Sequence, residues 1–167
     1  ILHDLSSGHV MNRLVQGDVG SGKTMIAAAA CFCAVKNGKQ AAFMAPTELL
    51  ARQHLATLER FGTAGGLRIA ILTGREKGKE REGILADLAN GAIDILVGTH
   101  ALIQEPVTFA NLRLAIIDEQ HRFGVEQRLK LAAKGNGVDL LLMTATPIPR
   151  TLLMTAFGDI DVTRLTD

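Results

Sequence analysis

The sequence predicts an α/β fold of three layers, a mostly parallel central sheet with helices on both faces. Two features predict it. Strand-like and helix-like segments alternate along the chain, and the strand-like segments are near-continuous apolar runs without in–out alternation. Strands buried on both faces read this way, and helical crossovers keep such strands parallel. Size and composition agree: 167 residues, 47% hydrophobic and 21% charged, suit one domain with one real core. A chain of this length can bury roughly 70% of its unfolded surface. The same composition excludes a disordered tail or a collagen-like chain.

Taken in order, residues 13–16 read as a short extended run ending at Gly17. Residues 25–37 read as a helix that is apolar on nearly every side and closed by Gly38. Residues 40–45 form a small-residue strand stopped by Pro46, after which Thr47 can cap a helix with Glu48 in its first turn. Ala51, Leu55 and Leu58 give that helix a buried stripe. A loop at 62–66 leads to a strand at 67–72. A helix at 80–89 follows, with Ile84, Leu85 and Leu88 on one face. Strands at 93–97 and 112–117, a helix at 125–133 and a strand at 138–143 complete the pattern, and a last helix starts near Pro149. The charge run at 75–82 reads as solvated surface.

Net charge is +1, from 18 basic and 17 acidic residues, so any nucleic-acid partner must be met by local groups and not by a global field. With no Trp or Tyr and six Phe, base-stacking platforms are scarce. The most apolar window, 25–35, is shorter than the ~18–20 residues a membrane helix needs, so no membrane association is expected. Cys31 and Cys33 point in different directions on a helix and neither pair nor chelate, which suits a reducing cytosol. Ile1 at the start, and no closing signal at Arg164–Asp167, suggest a piece of a longer protein.

Three strand ends carry chemistry. Gly17-Asp18-Val19-Gly20-Ser21-Gly22-Lys23-Thr24 fits G-x-x-x-x-G-K-[ST] at every fixed position, between a strand and a helix. Glycines let the backbone wrap around phosphate oxygens with N–H groups inward, and the helix N-terminus adds partial positive charge. Lys23 can reach the β- and γ-phosphates, and the Thr24 hydroxyl can ligate Mg²⁺. At the end of the run 112–117, Asp118 offers a hard oxygen to that metal, directly or through water, and Glu119 can orient and deprotonate an attacking water. Read alone, this acid pair could simply be the cap of the next helix. Gln120 and His121 extend it; a lone His is more often a packed or surface residue, but beside the acid pair His121 could sense a γ-phosphate. Thr144 and Thr146 close another strand, with hydroxyls able to bond that run.

Two more strand ends suggest a polymer track. Ala45-Pro46-Thr47-Glu48 and Val97-Gly98-Thr99-His100 place a hydroxyl and helix N-terminal amides at strand ends. Such groups donate to phosphates without reading bases. Either alone could be a helix cap.

The phrases RLVQGDVGSGKT, MAPTELLARQH, VGTHALIQE, IIDEQHRFGVEQR and MTATPIPRTL, in this order, closely resemble the RecG-type ATP-dependent DNA helicases of superfamily 2, over about residues 11–161. The transcription-repair coupling factor is the nearest rival. It resembles DEEH at the acidic motif where this chain has DEQH, so Gln120 and the segment 125–128 favour the RecG type. The resemblance implies a RecA-like P-loop NTPase lobe, the first of two motor lobes, binding ATP and Mg²⁺. It implies a whole enzyme that remodels branched DNA, such as stalled forks and Holliday junctions, in repair and recombination. Residues 1–10 would be a linker remnant, 11–161 the lobe, and 162–167 the start of a connection to a second lobe.

Carried over residue by residue, Lys23 and Thr24 hold phosphate and metal, Asp118 serves the metal and Glu119 activates water. Gln120 and His121, with Thr144 and Thr146, couple nucleotide to DNA. Pro46, Thr47, Arg52, Gly98 and Thr99 lie on the DNA-facing side. The partners implied are branched DNA, a second lobe with an arginine finger, and a wedge domain, in the bacterial cytosol at the nucleoid. The family's upstream adenine-recognising stretch has no counterpart in residues 1–10. A nucleotide-binding module without motor activity is the competing class. A kinase would need an acceptor-binding lid, and no long insert provides one.

Overall fold

A computed structural model of the chain describes residues 12–17, 22–62, 65–118, 125–144 and 161–164. Its strands are β1 (Asn12–Gln16), β2 (Gln40–Met44), β3 (Ile69–Leu72), β4 (Ile95–Gly98), β5 (Leu112–Asp118), β6 (Asp139–Thr144) and β7 (Asp161–Arg164). The α-helices are α1 (Lys23–Lys36), α2 (Glu48–Gly62), α3 (Gly78–Ala89) and α4 (Val125–Ala132), with a 3-10 turn at His100–Ile103. The strands form one sheet in the order β3-β4-β2-β5-β6-β1-β7, and every neighbouring pair is parallel.

Successive residues of each central strand enter opposite cores, which is why the runs look unbroken in sequence. Leu14, Met44, Ile117 and Leu142 join Leu88 of α3, Leu102 of the 3-10 turn and Leu131 of α4 on one face. Val15, Phe43, Ile116 and Leu141 join Ala27, Ala28 and Cys31 of α1 with Ala51 and Leu58 of α2 on the other. Among the described residues, two helices on each face meet the three-layer expectation.

Local signals explain most boundaries. Alanine-rich α1 has high helix propensity and ends at Asn37, just before Gly38. Thr47 Oγ1 accepts from the Leu50 amide at 3.2 Å, the expected N-cap of α2, with Glu48 in the first turn.

Three features differ from the sequence reading. The buried stripe of α2 runs through Ala51, His54 and Leu58, while Leu55 is half-buried at the margin of the same core. A polar residue takes a core position there because β5 supplies it with a partner. The charge run is not uniformly solvated: Glu76 is 5% exposed, drawn inward by donors from Thr73 and Arg52. Finally, β7 pairs with β1 and carries the sheet past residue 161, into the segment read from sequence as the start of a connection. The helix expected near Pro149 lies outside the described residues.

Candidate functional site

In an all-parallel sheet every strand delivers its C-terminal end to the same edge, where open α/β sheets bind ligands. Along this edge the sheet order reads Thr73 after β3, Gly98 and Thr99 at β4, Pro46 and Thr47 after β2, Asp118 at β5, Thr144 at β6, and Gly17 after β1. With neighbouring strands ~4.8 Å apart, this row spans roughly 24 Å. The candidate phosphate and acid groups occupy one half of it, and the candidate track groups the other.

In the phosphate half, the Gly17 amide donates to the Thr144 carbonyl at 3.1 Å, extending the β1–β6 ladder one residue beyond the strand. Gly22, the N-cap of α1, has φ of 95°, a left-handed conformation in which a side chain would be strained. These residues fix both ends of the intervening loop. Lys23 Nζ donates to the Gly17 carbonyl at 2.5 Å, so its ammonium lies against the end of β1. Thr24 is half-buried in the first turn of α1, at the positive end of that helix.

Asp118 is the last residue of β5, one strand from Thr144 and two from β1. It is 7% exposed, and its Oδ2 accepts from His54 Nε2 at 2.7 Å. The His54 ring stacks on Phe43 of β2, with centroids 4.4 Å apart and planes at 28°. Thr144 is buried between Gly17 and Asp118 on the sheet edge. Asp18, Val19, Gly20, Ser21, Glu119, Gln120, His121 and Thr146 lie outside the described residues.

In the other half, Pro46 is half-buried and Thr47 exposed. Thr47 uses an oxygen lone pair for the helix cap and keeps its O–H to donate. Thr99 Oγ1 accepts from Ala101 N at the start of the 3-10 turn. Thr99 and Gly98 are buried. The Arg52 guanidinium is engaged twice, by Glu48 through Nε and by Glu76 through Nη2, at 3.0 Å each. Hydrogen bonds to Glu48 and then Glu76 raise its already high pKa. Arg52 thus stands beside the track groups with its charge compensated.

Sequence reasoning passed over three residues here. Thr73 ends an apolar run just as Thr47 and Thr99 follow theirs, so the same strand-end rule could have found it. Glu76 was hidden among charged neighbours. Its Oε2 accepts from both the Thr73 amide and hydroxyl at 2.7 Å, pinning that turn. His54 lies within the apolar stripe of α2 and carried no local signal.

Comparisons with known proteins place these features in a family. The DEAD/DEAH box helicase family matches residues 1–155. The chain is 57% identical over 162 residues to the ATP-dependent DNA helicase RecG of Streptococcus pneumoniae, covering 97% of this chain and 24% of that protein. It is likewise 57% identical over 162 residues to RecG of Bacillus subtilis, with the same coverage of 97% and 24%. A solved structure of RecG bound to a three-way DNA junction superposes with a TM-score of 0.81 at 46% identity, over 98% of this chain and 22% of that one. The chain therefore spans about a quarter of the length of the relatives it matches. Among the described residues no helix is long and apolar enough to cross a membrane. From the match along nearly all its length, the chain belongs to the DEAD/DEAH box helicase family, and over this stretch its sequence is similar to that of the RecG helicases.

Proposed function

We propose that this chain is the ATP-binding motor lobe of a helicase that remodels branched DNA, such as stalled forks and Holliday junctions, during repair and recombination. The observation that carries the reading is the shared edge: Gly17, Thr144 and Asp118 lie at neighbouring strand ends of one parallel sheet, and Lys23, at the start of α1, bonds the Gly17 carbonyl there. Residues 17–24 cradle the triphosphate. Lys23 moves from the Gly17 carbonyl to phosphate oxygens, for which its charge is better suited.

The donor set fits Mg²⁺, a hard cation that prefers oxygen. Thr24 and Asp118 would hold it, and Asp118 Oδ1 has no partner among the described residues. When bound, the metal neutralises charge developing on the phosphates. Glu119 orients the attacking water and takes its proton. Gln120, His121, Thr144 and Thr146 couple the state of the γ-phosphate to DNA. Pro46, Thr47, Gly98 and Thr99 face the DNA backbone, and Arg52 holds the segment that carries Thr47. A second motor lobe with an arginine finger, and a wedge domain for branched DNA, complete the machine in the bacterial cytosol at the nucleoid.

The test is Glu119→Gln in the full-length protein. ATP binding should persist, while ATPase stimulated by forked DNA should fall at least a hundredfold, as the general base contributes ~10²–10⁴ in rate. Undiminished turnover would overturn the assignment. ATP binding with no response of the wild-type ATPase to forked DNA would instead favour a nucleotide-binding module.

A further inference from the structure

We propose that His54 is a positioning residue for the nucleotide site: from helix α2 it fixes the orientation of the Asp118 carboxylate, so that the remaining oxygen is presented for Mg²⁺. This rests on the reading of Asp118 as the metal's acid.

His54 and Asp118 are each 7% exposed and lie on different elements, α2 and β5. An ionised carboxylate only accepts, so the 2.7 Å contact is His54 Nε2–H donating to Oδ2. A bond to one oxygen, made by a ring that cannot turn freely, sets the rotation of the carboxylate. Stacking on Phe43 of β2, the strand next to β5, restrains the ring. Asp118 therefore points its second oxygen by construction and loses little rotational freedom on ligation. Helix α2 supplies a stiff mount, because His54 sits about two turns inside a capped N-terminus.

Packing alone does not account for this arrangement. Leu or Met would fill a core position on an apolar stripe at lower cost, since a buried polar ring is unfavourable unless it is bonded. Groups that orient a metal ligand from behind typically contribute 10–100-fold to metal affinity.

A matched pair of substitutions separates positioning from filling. In the full-length protein, His54→Gln keeps an N–H donor near the Nε2 position, and His54→Met has similar bulk and no donor. The readout is binding of a fluorescent ATP analogue with Mg²⁺ and with EDTA, without turnover. In wild type, Mg²⁺ should tighten binding, and Asp118→Asn should abolish that gain. His54→Met should reduce the gain about 10–100-fold while leaving affinity in EDTA unchanged. His54→Gln should restore most of it. Loss of the Mg²⁺ gain in Asp118→Asn, with equal gains in the His54→Gln and His54→Met proteins, whether full or reduced, would overturn the positioning role alone. A full gain retained by Asp118→Asn would overturn the metal reading of Asp118 and the inference with it.

Discussion

A methyl group on residue 98 would sit 2.1 Å from the Leu72 carbonyl oxygen and 2.8 Å from Leu102 Cδ2. Neither distance is tolerable, and the first atom belongs to the neighbouring strand's backbone. Gly98 stands out in sequence as a track residue, yet its environment gives a separate reason for glycine: β3 and β4 close up here, and the 3-10 turn packs beneath. Overpacking of this kind costs about 1–3 kcal/mol, and a backbone obstacle places Gly98→Ala toward the upper end. Urea unfolding of the two proteins should show this as a lower midpoint with an unchanged slope. A neutral substitution would mean that the strand ends part easily, and the glycine would then need another explanation. Asp118 was legible because it ends an apolar run beside another acid. His54 was not, because its partner is 64 residues away and meets it only through the pairing of β2 with β5.

Between elements, Glu76 acts as a strut. One carboxylate oxygen holds the Thr73 turn after β3, and the other holds Arg52 on α2, so two strand-end segments are tied together. Burial pushes the Glu76 carboxyl upward, but bonds from Thr73 and Arg52 outweigh it, and the pKa lies below the ordinary carboxylate range. A depressed folded-state pKa means that the stabilisation is fully present above the unfolded value, ~4.3, and is lost as pH falls through the folded value. Glu76→Gln should therefore cost about 1–2 kcal/mol at pH 7, with the gap to wild type closing as the pH drops below about 4. Unfolding midpoints of both proteins across that range check it, and a gap that stays constant with pH would refute the strut's ionic character. Element boundaries show what local chemistry can reveal. Pro46 and Thr47 punctuate the β2–α2 passage, and the structure starts α2 where they say. The strand Asp161–Arg164 was invisible because it is four residues long, with Val162 its one large apolar residue, 36% exposed, at the sheet edge. Such a strand is specified by the unpaired side of β1 more than by its own composition.

For the whole molecule, the parallel sheet puts every candidate strand end on one edge, and on the proposed reading that geometry limits what this chain does alone. Groups on a single edge approach a triphosphate from one side. Phosphoryl transfer passes through a loose transition state whose charge is spread over three equatorial oxygens, and stabilising it calls for cations from several directions. On the proposed reading, residues 17–24 and Asp118 supply the grip on the ground state. The resemblance to RecG-type enzymes implies that the remaining cation, an arginine finger, comes from a second lobe, and these 167 residues span about a quarter of such a protein. A finger is worth ~10³–10⁵ in rate. The chain by itself should then bind ATP, hydrolyse it at least about a thousandfold more slowly than the full-length protein on forked DNA, and separate no strands. Parallel measurements of nucleotide binding, phosphate release with and without forked DNA, and strand displacement check this together. Binding without turnover would locate the missing catalytic power outside these 167 residues. A DNA-stimulated rate within tenfold of the full-length value would show that one sheet edge is sufficient, and the two-lobe account of the chemistry would have to be abandoned.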